Sequence, residues 1–234
     1  MQSYESHRGR IIVTADDFGI SPRANRNTLY LITIGKINRV AIMVHGTMTE
    51  NEISGLNRSN VKIDIHLDIL HEFDQERKNR HGAIGRGFEF MGKLLTGKIS
   101  SAKIEKDWIE QIELFKKIFG RYPDGINSHE HVHLFPPFFN IALKLSQQYE
   151  IPYVRFGDSI FLRHNFIVSH ILHYLRRYSQ KAFQNSSSVS SGSLVSMDWL
   201  ENIDTFLENL PEGTIEIASH PENAEDFVRI KKFF

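Results

Sequence analysis

Residues 127–133 read Asn-Ser-His-Glu-His-Val-His, and three of the chain's 12 histidines (His129, His131 and His133) fall there on alternate positions. In an extended segment alternate side chains point the same way, so the three imidazoles would line one face. Neutral imidazole is a common metal ligand and the side chain that titrates nearest neutral pH. About 110 residues upstream, Asp16 and Asp17 follow a short apolar run. Two like charges this close ionise together only with a cation or another partner nearby. Neighbours at a strand end point in different directions, so one carboxylate can bind a metal while the other faces substrate. A metal lowers the pKa of bound water, and a carboxylate beside it can take the proton. The chemistry on offer is metal-assisted hydrolysis.

Plainer readings stand beside this one. An aspartate pair also caps helices and builds turns. A lone histidine after an apolar strand, as at His66, is more often a hydrogen-bonded core residue than a ligand. His220, before Pro221, fits a general acid or a structural strand-end residue equally well. The case for chemistry rests on shared position: Asp16, Asp17, His66, His129 and His220 all follow runs that read as strands.

Those runs set the expected fold. Residues 11–15 read as a buried parallel strand, short and β-branched. Ser21-Pro22 reads as an N-cap with proline at the first helical position, and the helix should reach Ile34 with Gly35 as its cap. Further strands are expected at 39–44, 61–66, 124–128, 153–155 and 214–218. Helices are expected at 104–119, 136–149, 161–183 and 199–210, with a polar helix or loop at 47–57. Residues 71–100 hold five glycines and read as a long functional loop, and the serine-rich stretch 185–193 as a flexible surface loop. Strand-then-helix order indicates a parallel sheet with covering helices. In a parallel α/β barrel the strand C-termini converge on one face, where active sites sit. With no domain boundary in sight, residues 1–234 are read as a single catalytic domain.

Composition narrows the class. The 28 basic and 28 acidic residues balance, so nothing asks for nucleic acid or an anionic membrane. The absence of cysteine excludes disulfides, thiolate metal sites and cysteine nucleophiles together, leaving nitrogen and oxygen ligands for any metal. Residues 1–10 show no signal-like apolar core, and no run is long enough to span a bilayer, so a cytoplasmic location is expected.

Four segments resemble, in order, the motifs of the YdjC-like carbohydrate deacetylases, which include the chitooligosaccharide deacetylases. They are Thr-Ala-Asp-Asp-Phe-Gly-Ile-Ser-Pro at 14–22, Ile-His-Leu at 65–67, Ser-His-Glu-His-Val-His-Leu-Phe-Pro at 128–136 and Glu-Ile-Ala-Ser-His-Pro at 216–221. The resemblance implies a deformed (β/α) barrel of parallel strands with outer helices. It implies a divalent ion, magnesium or zinc, on Asp17, His66 and His129, with Asp16 as the general base for the attacking water. His220 would be a general acid or stabilise the intermediate, and Arg155 would orient a carboxylate or the aspartate pair. His131, His133, Arg155 and Asn127 are assigned to substrate binding or to support of the ligands. The implied reaction is removal of N-acetyl groups from amino sugars or oligosaccharides. A hydrolase acting on a lipid-linked sugar or other amide or ester, and a non-catalytic sugar-binding relative, are the alternatives. The expected partner is a small acetylated sugar, with a homodimer as a guess at assembly. Phe18, Phe88, Phe90 and Trp108 are candidates for stacking on sugar rings, each with a core role as the stronger alternative. Two departures stand out: the family's usual aspartate before Ser-His is Asn127 here, and the usual glycine after the last His-Pro is Glu222.

Overall fold

The computed structural model describes residues 7–69, 100–160 and 166–234. Eight strands form one sheet in the order β5-β4-β3-β2-β1-β8-β7-β6. They are β1 (Ile11–Phe18), β2 (Arg39–Ile42), β3 (Lys62–Leu67), β4 (Gly125–Ser128), β5 (Tyr153–Val154), β6 (Asp158–Ser159), β7 (Ser193–Ser196) and β8 (Ile215–Ser219). Every ladder between them is parallel. The sheet curls into a half-barrel whose edges, β5 and β6, are consecutive in the chain. Helices cover its outside, giving the expected deformed α/β barrel. Among the described residues these are α1 (Pro22–Thr33), α2 (Glu50–Arg58), α3 (Ser101–Phe119), α4 (Pro136–Gln148), α5 (Phe166–Gln184), α6 (Ile203–Glu208) and α7 (Ala224–Phe233).

Local chemistry sets the boundaries. Ser21 caps α1 by accepting from the Ala24 amide, with Pro22 at its first position, and Gly35 follows at φ 69°. Thr49 and Glu52 form a reciprocal capping box that makes 50–58 a helix rather than a loop. On α3, Ile104, Trp108, Ile112, Phe115 and Phe119 bury one stripe, and Gly120 at φ 73° ends it. Trp108 and Phe18 are fully buried, so both belong to the core and cannot stack on a sugar. Phe88, Phe90 and the loop at 71–100 lie outside the described residues.

Three expectations are corrected. β1 does not stop at Ala15 but runs through the aspartate pair to Phe18, with its pairing to β2 shifting between Ala15 and Phe18 and Asp17 at φ 61°. The serine-rich stretch is a surface connection with no regular element before Ser193, but it is pinned to the sheet. The Val189 amide donates to the Pro152 carbonyl and the Val154 amide to the Val189 carbonyl. The Ser190 hydroxyl accepts from the Phe156 amide, and Ser193–Ser196 forms β7. β7 begins at the last serine of the stretch and is buried over Leu194–Ser196, a strand not among those expected. The histidine ladder is not extended: His129–Leu134 is a kinked 3₁₀ turn with Glu130 and His131 at φ 52° and 56°. Side chains along that turn leave in different directions.

Candidate metal centre

The C-terminal ends of β1, β3, β4 and β8 bring the predicted residues together. The shift in β1 frees Asp16 and Asp17 from strict alternation and sends their side chains to different partners. The turn that follows is held tightly: the Gly19 amide donates to Asn25 Oδ1, and the Thr47 amide to the Gly19 carbonyl. A Cβ on Gly46 would lie 2.3 Å from the Gly19 oxygen, so only glycine lets these two loops pass.

Asp17 Oδ1 lies 3.1 Å from His66 Nε2 and 3.0 Å from His129 Nδ1. One potential ligand atom from each of Asp17, His66 and His129 falls within 4.8 Å of the others. The two imidazoles meet nearly edge to face at 81°. Burial would raise the Asp17 pKa, but hydrogen bonds and charge from His129 and His66 outweigh it and hold the carboxyl well below its usual range. Burial would lower the His129 pKa, yet the Asp17 carboxylate lifts it to about 9. Two imidazole nitrogens converging on one ionised carboxylate fit a divalent cation that accepts mixed nitrogen and oxygen ligands, and such an ion would replace the shared protons.

Asp16 is held differently. Arg155 Nη1 and Nη2 donate to its two oxygens at 2.7 and 2.8 Å. Burial opposes ionisation, but Arg155, His66 and His220 bring the Asp16 pKa down to about 2. Arg155 Nε in turn donates to Glu216 Oε1 at 2.9 Å, and the Tyr153 hydroxyl donates to Glu216 Oε2 at 2.5 Å. Thr14 Oγ1 donates to Glu216 Oε1 at 2.8 Å. Arg155 is fully buried, so it positions Asp16 and does not reach solvent.

The remaining ladder histidines divide. His133 is fully buried, with Nδ1 2.7 Å from the Ser128 hydroxyl and Nε2 2.8 Å from the Arg155 carbonyl. It fixes the turn and the Arg155 backbone, and burial pushes its pKa down to about 3. His131 is also pushed down to about 3, first by burial and then by Arg155, and its Nδ1 is buried without a hydrogen-bond partner. Asn127, fully buried on β4, places its amide 2.6 Å from His66 Nδ1.

His220 stands across the centre, its Nε2 4.0 Å from Asp17 Oδ2. Its amide donates to Asp226 Oδ2 at 2.8 Å, and its ring Nδ1 lies 3.9 Å from the same oxygen. Sequence reasoning missed Asp226, an acid in the first turn of α7 that looks like ordinary helix-dipole compensation. It also missed the Tyr153–Glu216–Thr14 links, since isolated polar residues in apolar strands carry no spacing signal. On α5, His173 and Arg176 both pair with Asp158.

Comparison with known proteins points the same way. A family model described as YdjC-like protein matches residues 10–231. The carbohydrate deacetylase of Mus musculus is 28% identical over 158 residues, 63% of this chain and 50% of that protein. The chitooligosaccharide deacetylase of Serratia marcescens is 27% identical over 148 residues, 61% of this chain and 57% of that protein. The chain thus spans about half the length of the curated relatives it matches. A crystal structure of an Enterococcus faecalis V583 protein provisionally named for cellobiose-phosphate cleavage superposes with a TM-score of 0.63 at 19% identity, over 94% of this chain and 83% of that one, a likeness of fold.

Proposed function

Because this chain belongs to the YdjC-like family, we propose that it is a metal-dependent hydrolase that removes N-acetyl groups from amino sugars or short oligosaccharides. The observation that carries the reading is the convergence of Asp17, His66 and His129 on one point beside an arginine-clamped Asp16. Relatives named carbohydrate deacetylase and chitooligosaccharide deacetylase support the substrate class.

A divalent ion held by Asp17, His66 and His129 would act as a Lewis acid and lower the pKa of the attacking water. Asp16 is the general base. Its Arg155 clamp keeps it ionised at any working pH and fixes its direction, so it accepts the water's proton without first losing one. The proton that Asp16 takes from water is passed by way of solvent to His220 and from there to the amine nitrogen as the C–N bond breaks, leaving acetate and the free amine. His220 faces Asp17 from the opposite rim and donates to the departing amine, with Asp226 holding its backbone in place. Magnesium or zinc as the ion, a homodimeric assembly and a cytoplasmic location belong to the same reading, and metal analysis, light scattering and fractionation test them.

The deciding experiment is acetate release from a set of N-acetylated mono- and disaccharides, with and without divalent ions. Chelation should abolish release and added ion restore it. Asp17→Ala and His129→Ala should lose both ion and activity while staying folded; full activity in both would sink the proposal.

A second reading, a lipid-linked substrate, has its own observation. On α5, which packs beside the histidine turn, Ile167, Ile171, Tyr174 and Tyr178 form an exposed stripe. The helix carries no acidic residue, and Arg177 and Lys181 are exposed on it. An apolar, tyrosine-bearing face with basic neighbours suits an anionic membrane surface. No helix among the described residues is long and apolar enough to cross a membrane. Co-sedimentation with phosphatidylglycerol-containing vesicles, lost in Tyr174→Glu, would favour this reading; absence of binding would remove it.

A further inference from the structure

The fully buried amide of Asn127 has three polar neighbours. One end lies 2.6 Å from His66 Nδ1 and 3.2 Å from the Ile65 carbonyl, and the other 3.3 Å from Arg155 Nη2. An amide has one donating and one accepting end, so the side chain has two distinct orientations. With nitrogen toward His66, Asn127 donates to Nδ1 and to the Ile65 carbonyl, and its oxygen accepts from Arg155. All three contacts are then attractive. With oxygen toward His66, the amide accepts from a protonated Nδ1. The oxygen then faces the Ile65 carbonyl, and the nitrogen faces a guanidinium donor.

The orientation decides which ring nitrogen of His66 carries the proton. In the first, Nδ1 accepts, so the proton sits on Nε2, which donates to Asp17 Oδ1 at 3.1 Å. A protonated Nε2 has no lone pair to offer a cation. In the second, the proton sits on Nδ1 and the Nε2 lone pair points toward Asp17, as ligation requires. We infer that Asn127 is a positioning residue that acts through His66 as a two-position latch on cation binding. Its better-satisfied position holds His66 in the tautomer that cannot ligate, and an ion must turn the amide over to bind. A carboxylate at this position would lack the latch, because both its oxygens accept. It would keep Nδ1 protonated and still pair with Arg155. The inference rests on the reading of Asp17, His66 and His129 as the ion's ligands.

The test uses the full chain labelled with ¹⁵N-histidine, above neutral pH, with zinc as the probe. Long-range proton–nitrogen spectra should show His66 protonated on Nε2 in chelator-treated protein and on Nδ1 after zinc saturation. In Asn127→Asp it should be on Nδ1 in both states. Calorimetry should give zinc affinity tighter in Asn127→Asp by about tenfold or more. Added charge alone could tighten zinc, but it would not change the wild-type tautomer, and the wild-type spectra decide even if the variant misfolds. Zinc that competes at Asp17 with His66 already protonated on Nδ1 in the metal-free protein would overturn the latch alone. Zinc that binds wild type and Asp17→Ala equally would instead overturn the ligand assignment beneath it.

Discussion

Asp16 and Asp17 are neighbours on one strand, yet they belong to two regions built on different principles. Below Asp17 lies a closed charge network. Asp16 and Glu216 share Arg155, Tyr153 and Thr14 complete Glu216, and Arg39 pairs with Asp64 through two contacts while lying 4.0 Å over the Tyr153 ring. Each carboxylate there has a cationic partner, and nothing is left to recruit from solvent. Above it, among the described residues, Asp17 has only imidazoles to answer its charge. A region whose charges are internally matched is scaffold. One whose ligand atoms converge on a point has the geometry to hold a cation.

That contrast predicts the largest effect at Arg155. Arg155→Met should leave two buried carboxylates without their counter-charge and lower stability by about 3–5 kcal/mol in urea denaturation. Asp17→Ala should leave metal-free stability far less affected, because its partners are two imidazoles and not a buried guanidinium. A comparable loss in both variants would erase the distinction between scaffold and site.

The histidines of the turn should also titrate in opposite directions in chelator-treated protein. His129 has a pKa raised from 6.5 to about 9. Its contribution is therefore full below pH 6.5 and lost as pH rises through about 9, at up to about 1.4 kcal/mol per pH unit. His131 and His133 are depressed to about 3. Their contribution is present above 6.5 and lost as pH falls toward 3. Denaturation midpoints across pH should thus fall on both sides of a maximum, and His129→Ala should remove the alkaline limb alone. A smaller effect is expected at the rim's far side. His220→Asn should lower acetate release by about 10²-fold with the fold unchanged, and added zinc should bind it as it binds wild type.

Much of this was legible in the sequence because barrels place strand C-termini on one face. Aspartates, His66, His129 and His220 each announced themselves by following an apolar run, and the structure brings them together. The ladder was misread because alternation implies an extended chain only when φ stays negative. Positive φ at Glu130 and His131 breaks that rule, and neither residue type signals it. The short strands β6 and β7 were invisible for a related reason: β6 has two residues and β7 is flanked by serines, too little apolar periodicity to register. Asp226 and Glu216 were missed because their roles depend on partners far away in sequence or on backbone amides, which no local pattern encodes.

The finest test of the scaffold is Tyr153→Phe. The hydroxyl donates to Glu216 Oε2 and accepts from the Ser191 amide at 3.3 Å, while the ring lies under Arg39. Phenylalanine keeps the ring and its contact with the guanidinium, so only the hydrogen bonds are lost. Glu216 retains Arg155 and Thr14 as donors, so the carboxylate is not left bare. The expected cost is therefore near the low end for a bond to a charged group, about 1.5 kcal/mol, and well below that of Arg155→Met. Metal affinity should not change, because Tyr153 reaches Asp17 only through Glu216, Arg155 and Asp16. If Tyr153→Phe weakened zinc binding while sparing stability, the network would be tuning the ion's ligands rather than standing apart from them, and the division between the two aspartates would fail.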